Sequence, residues 1–129
     1  MGLFHRKPKH PLAGLQPYDV RRGTQVALVN VEPSFVEHVR ENGVKKPRTG
    51  MEAPIAIIAS GNRILAYSDD QLIGEMDPDM ASLYIDEMRA LSQRGMFGRT
   101  VVYIKPEGFK SPHALALNWG VRAVDGGII

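Results

Sequence analysis

Cysteine is absent from the 129 residues of this sequence, which excludes disulfide bonds, thiolate metal sites and thiol nucleophiles together. Long apolar runs are absent too, because none approaches the ~20 residues that a membrane-spanning helix needs. Residues 1–10 contain Arg6, Lys7 and Lys9 but lack the apolar centre of a signal peptide. The sequence therefore predicts a cytoplasmic protein with no membrane segment.

A strong charge of one sign is also lacking, since the formal net charge is only +2. Residues 1–23 hold five basic residues and one acidic residue, a net of +4, so residues 24–129 hold −2. Phosphate contacts supply most of the non-specific affinity of proteins for nucleic acid. The slightly acidic remainder of the chain therefore argues against a general nucleic-acid coat and leaves only local basic patches as candidate contacts.

Composition divides the chain into three parts. Residues 1–23 combine prolines and basic residues without an apolar period, which predicts a basic flexible tail. Residues 24–120 carry the apolar, periodic segments and predict one folded domain, and residues 121–129 predict a flexible C-terminal tail. A chain of this length can bury roughly two-thirds of the surface that it exposes when unfolded, so a single core is sufficient.

Three neighbouring apolar segments predict an antiparallel meander of strands at 54–59, 63–68 and 71–76. The first turn contains Gly61 and Asn62, two residue types that accept the positive φ of a tight hairpin. Further strands are predicted near residues 25–31, 100–104 and 113–119.

Two helices are predicted between these strands. Ser34 and Glu37 match a capping box, so a short helix is expected to about residue 41, before a polar, basic loop over 44–53.

The second predicted helix, over residues 78–93, is longer. Asp77 caps it, Pro78 occupies its first position and Gly95 ends it. Its apolar spacing predicts that the face that covers the sheet carries Met80, Leu83, Tyr84, Met88 and Leu91.

These elements predict an α+β, mainly β fold, a meander with a short N-terminal helix and one longer covering helix. The predicted core comprises Leu28, Ile57, Leu65, Ile73, Leu83, Val102 and Leu117.

Residues for catalysis or metal binding are not found in a suitable pattern. Asp77 and Asp79 flank a proline at a helix start, which favours capping over a metal site. The histidines show no ligand spacing, and the serines lack the strand-turn-helix context of an activated nucleophile. The sequence therefore predicts a non-enzyme with no catalytic residues, no metal site and no cofactor.

Four segments, in their order along the chain, resemble HIRAN domains over about residues 24–120. They are Arg63-Ile64-Leu65-Ala66-Tyr67, Leu72-Ile73-Gly74-Glu75-Met76, Ala81 with Tyr84, and Asn118-Trp119-Gly120. The resemblance implies a partly open, OB-like β-barrel of a kind found beside DNA-translocating repair ATPases and as free-standing bacterial or phage proteins. It also implies binding of the 3′ end of single-stranded DNA.

The chain departs from the family where DNA is bound. Only the tight turn at residues 60–62 stands in place of the loop that grips the DNA end, and Glu75 and Pro78 stand where basic groups would face DNA. The hypothesis is therefore weak single-strand binding, with a base stacked on Phe109, or on Tyr67 or Trp119 if either is exposed. The candidate contacts are Phe109, Lys110, Lys105, Arg99, Arg63, Asn62 and Tyr67.

A protein-interaction module without nucleic-acid binding is the alternative. Residues 69–87 form an acidic stretch that could face a protein partner, while the basic tail docks on something anionic. A basic groove beside Phe109 would favour nucleic acid, whereas an exposed apolar patch would favour a protein.

Overall fold

A computed structural model describes residues 11–20, 24–46 and 50–117, together with the backbone of 123–124 and 127–128. The elements in chain order are β1 (Gln16–Asp19), β2 (Thr24–Val29), α1 (Pro33–Asn42), β3 (Val44–Lys46), β4 (Gly50–Ser60), β5 (Arg63–Ser68), β6 (Gln71–Met76), α2 (Pro78–Gln93), β7 (Met96–Ile104), β8 (Ala114–Leu117), β9 (Ala123–Val124) and β10 (Gly127–Ile128).

Six of the strands form a closed barrel in the order β7-β8-β2-β6-β5-β4, and β4 closes it by pairing with β7 over seven residues. The predicted meander of three strands is confirmed as β4, β5 and β6, which pair antiparallel in sequence order. Gly61 in the first turn has φ +60. The predicted fold class, a small, mainly β barrel with two helices, is confirmed.

Alternation along the strands sorts side chains between the core and the outer face of the barrel. On β4, Ile55 and Ile57 are buried in the core, while Pro54 and Ala56 point outward. Five of the seven predicted core residues are buried, but Leu65 is only half-buried on the outer face. The buried members are Leu28, Ile57, Ile73, Val102 and Leu117.

The start of α2 is as predicted, and so is its buried face except at Leu83. The Asp79 backbone N–H donates to Asp77 Oδ1 at 2.9 Å, with Pro78 at the first helical position. Leu83 is 64% exposed, so its assignment to the core was wrong. The helix buries Met88 and Leu91, as predicted, and also Ala81.

α1 begins at Pro33 rather than after Ser34, so the predicted capping box was wrong. Glu32 is the N-cap and makes no side-chain hydrogen bond. Proline is favoured at the first helical position because its φ is already helical and its missing N–H has no intrahelical partner there. Phe35 and Val39 anchor this helix in the core.

Two segments predicted as irregular contain strands. Residues 44–46 form β3 and residues 50–53 begin β4, so the loop predicted over 44–53 was wrong where the structure describes it. β1 runs parallel to β7, and Val20 after it is fully buried, so the tail predicted over 1–23 was wrong for residues 16–20. In the predicted C-terminal tail, β9 pairs antiparallel with β10. Residues 1–10, 21–23 and 118–122 lie outside the described parts, and with them Trp119.

Candidate nucleic-acid interface

The loop between β7 and β8 presents an aromatic ring to solvent. Phe109 is 55% exposed, in a turn closed by its backbone N–H, which donates to the Pro106 carbonyl at 3.0 Å. The Lys105 ammonium lies 5.9 Å from the centroid of the Phe109 ring, within the range of a cation–π contact. Lys110 beside it is exposed. Three of the predicted contacts, Lys105, Phe109 and Lys110, therefore belong to one surface.

Two side chains hold the backbone of Lys105 at the base of this loop. Its N–H donates to His113 Nδ1 at 2.9 Å. Its carbonyl accepts from Arg40 Nη2 at 3.1 Å and from Arg40 Nε at 3.3 Å. Arg40 comes from α1 and His113 is the residue before β8, so two other parts of the chain fix the position of Lys105.

The surroundings of His113 favour the neutral form of its imidazole. Burial lowers the pKa of its imidazole, and the neighbouring positive charges of Arg40 and Lys105 lower it further. Since Nδ1 accepts the Lys105 N–H, the neutral ring carries its proton on Nε2. The imidazole thus offers one N–H donor on its other side.

An open groove of about 720 Å³ lies along the first turns of α1 and reaches His113. Its walls combine apolar side chains with two acids and two bases. The lining residues are Val31, Glu32, Pro33, Ser34, Val36, Glu37, Arg40 and His113.

Arg63 lies far from Phe109 and forms an ion pair with Glu75. Met51 of β4 pairs with Ile104, next to Lys105, whereas Ser60 at the other end of β4 pairs with Arg63, about 30 Å away along an extended strand. Arg63 Nε donates to Glu75 Oε2 at 2.7 Å and its Nη2 donates to Oε1 at 2.8 Å. These bonds, with one from Asn30, hold the pKa of the buried Glu75 carboxyl below its usual range despite burial.

Three further candidates also lie away from Phe109. Arg99 Nε donates to Asp19 Oδ1 at 2.6 Å, and this bond raises the pKa of Arg99. Asn62 Oδ1 accepts from Arg89 Nη2 at 2.7 Å. Tyr67 is buried, so the condition for base stacking on it is not met. Arg63, Asn62, Arg99 and Tyr67 are therefore not brought to the loop.

Sequence reasoning missed Arg40 and His113. His113 was treated as isolated, although its place eight residues after Lys105, at the return of the loop, was a local signal. Arg40 is 65 residues from Lys105 and had no local signal.

Within the described residues, no group of three or more His, Asp or Glu side chains is placed to hold a metal ion. Neither α1 nor α2 is long and apolar enough to cross a membrane. Comparisons with protein-family models, curated proteins and solved structures give no match to this chain.

The buried Glu75 carboxylate should make stability depend on its partner Arg63. Because the folded pKa of Glu75 is lowered, the stabilisation is complete above its unfolded pKa of about 4.3 and is lost as pH falls through the folded pKa. Arg63→Met is expected to lower the urea midpoint at pH 7, and the difference from wild type should shrink below about pH 4.

Arg99→Met is the matched control, since the Arg99–Asp19 pair is about half exposed on both sides and such pairs contribute little. Urea unfolding of both variants between pH 3 and 7 checks the prediction. Equal midpoints for the two variants at pH 7 would contradict it.

Proposed function

We propose that this chain is a small, non-enzymatic binding module that binds single-stranded nucleic acid weakly through the loop between β7 and β8. The observation that carries the proposal is the exposed Phe109 ring, with the Lys105 ammonium 5.9 Å from its centroid and Lys110 beside it. A base can stack on such a ring while nearby cations attract the backbone. The resemblance to HIRAN domains, a cytoplasmic location and a bacterial or phage origin are part of the same proposal.

Weak binding follows from how few groups are available. Stacking on one aromatic side chain contributes ~1–3 kcal/mol per base. Lys105 is buried, so it contributes positive potential more than an open phosphate contact. Arg63 and Arg99 are engaged by carboxylates at 2.7 and 2.6 Å. Lys110 is therefore the principal phosphate contact within this loop.

Phe109→Ala is expected to weaken binding of a labelled dT12 oligonucleotide by at least about 5-fold, since it removes the stacking surface without removing charge. Phe109→Tyr, which keeps an aromatic ring, should bind like wild type. Fluorescence anisotropy with DNA and RNA, each with a free or a blocked 3′ end, gives the affinities. If Phe109→Ala binds as well as wild type, the proposed function is wrong.

The basic residues near the N-terminus are expected to supply much of the affinity at low salt. Arg6→Gln, Lys7→Gln and Lys9→Gln together remove three charges, so the slope of log affinity against log salt should fall by up to about 2 for a single strand. The binding that remains should depend on Phe109. Substitution is preferable to deleting residues 1–23, because the deletion would remove β1 and the buried Val20. An unchanged slope would show that these charges do not contact the strand.

A protein partner is the second candidate, supported by a different surface. β3 pairs with β4 on one side and has no partner on its other edge among the described strands. Val44 on this edge is exposed and adjoins a groove that Val39, Ala53 and Pro54 also line. An incoming strand could pair with such an edge. Absence of nucleic-acid binding at all salt concentrations would favour this alternative.

A further inference from the structure

The groove along α1 and the Phe109 loop are linked through Lys105. Arg40 and His113 line the groove and hold the carbonyl and the N–H of Lys105. The Lys105 ammonium in turn lies against the Phe109 ring. A strand whose base stacks on Phe109 would therefore place a neighbouring nucleotide at the groove.

The basic end of the groove carries side-chain N–H donors of Arg40 and His113 that could bind a ligand. Arg40 uses Nε and Nη2 on the Lys105 carbonyl, and its Nη1 bonds to no other residue in the part of the chain that the structure describes. His113 accepts through Nδ1 and so carries a donor on Nε2. Because each side chain is also bonded to Lys105, both are already oriented before a ligand arrives. Two fixed donors of this kind suit a phosphate oxygen.

The other wall of the groove carries acceptors. Glu32 and Glu37 both line it and are exposed. Among the described residues, neither carboxylate has a hydrogen-bond or ion-pair partner. A bare phosphate would be repelled by these carboxylates, and a bare cation by Arg40. The pattern instead suits a ligand with an anionic group at one end and N–H donors at the other.

We infer that the groove holds one guanine nucleotide of the bound strand, with its phosphate on Arg40 and His113 and its base edge on Glu37 or Glu32. Guanine alone among the bases has adjacent N1–H and N2–H donors, which pair with both oxygens of a carboxylate. The other bases place an acceptor beside their donor, and a carboxylate repels it. Val31, Pro33 and Val36 supply apolar contact for the base. The inference rests on the proposed function and adds a base preference to it.

The test uses the full chain and dT12 oligonucleotides that carry a single central dG, dA or dC. The dG oligonucleotide is expected to bind about 5- to 150-fold more tightly than the others, the range of a good bidentate base contact. Glu32→Gln with Glu37→Gln should abolish this preference and leave the affinity for dT12 the same or higher. Glu41→Gln, on the same helix but outside the groove walls, is the matched control and should keep the preference.

A second measurement detects ligand binding in the groove directly. Guanosine 5′-monophosphate should shift the ring resonances of His113 in an NMR titration, whereas guanosine without a phosphate and adenosine 5′-monophosphate should not. Unshifted His113 resonances, equal affinities for all four oligonucleotides, or a dG preference that survives the double substitution would each overturn the inference. Binding that depends on Phe109 but not on the base would overturn the guanine site in the groove and leave the proposed function standing. No binding to any oligonucleotide would overturn the proposed function as well.

Discussion

Leu91→Ala is expected to lower the free energy of unfolding by about 2–5 kcal/mol, because it removes a fully buried side chain and leaves a cavity beneath α2. Leu91 packs in the same cluster as Met88 and Ile57, so the loss affects the contact between the helix and the barrel. Urea denaturation followed by circular dichroism measures the change.

Leu83→Ala is the matched control, since it makes the same chemical change on the same helix at a side chain that is 64% exposed. It should change the free energy of unfolding by less than about 1 kcal/mol. If the two variants lose the same stability, the buried face of α2 described above is wrong.

Gly50→Ala is expected to cost about 2–4 kcal/mol of stability, for two reasons that add. Gly50 has φ +111, a backbone conformation that residues with a Cβ rarely adopt. A Cβ there would also collide with the backbone carbonyl oxygen of Ile104, which cannot move without disturbing the pairing of β4 with β7. The same urea measurement applies.

Gly61→Ala separates these two causes. Gly61 also has positive φ, at +60, but a Cβ there meets no atom within 4 Å. It should cost only the backbone strain, about 1–2 kcal/mol. A smaller loss for Gly50→Ala than for Gly61→Ala would contradict the close approach of β4 to Ile104.

The parts of the fold that could be predicted from sequence depend on neighbours in the chain. The strands β4, β5 and β6 are joined by short turns, and α2 begins with a cap formed between Asp77 and Asp79. Turn residues, caps and alternation all act over a few residues. Their signals are therefore present in the sequence itself.

The parts that were missed depend on distant partners. β3 is a strand because Val44 pairs with Glu52 of β4, although the sequence of this segment is typical of a polar, basic loop. On α2 only Leu83 was misjudged, because spacing alone admits it to the buried face, whereas the structure buries Ala81 and leaves Leu83 exposed. The hydrophobic period predicts the approximate buried side of a helix, and the surface against which the helix packs decides which residues at the margin of that side are buried.

The candidate site shows the same division. Phe109 was identified because it stands between Gly108 and Lys110 in a loop, which is local information. The engagement of Arg63 by Glu75, 12 residues away, and of Arg99 by Asp19, 80 residues away, could not be read from charge patterns. The hydrogen bond from Arg40 to the Lys105 carbonyl could not be predicted from charge patterns either.

The parallel pairing of β1 with β7 sets an order of events during synthesis on the ribosome. Asp19 is translated 80 residues before its partner Arg99, an interval of about 4–16 s at ~5–20 residues per second. Throughout that interval the nascent chain carries β1 without the strand with which it pairs. β1 therefore joins the barrel after the meander has been made, and a chain interrupted before Met96 cannot place it.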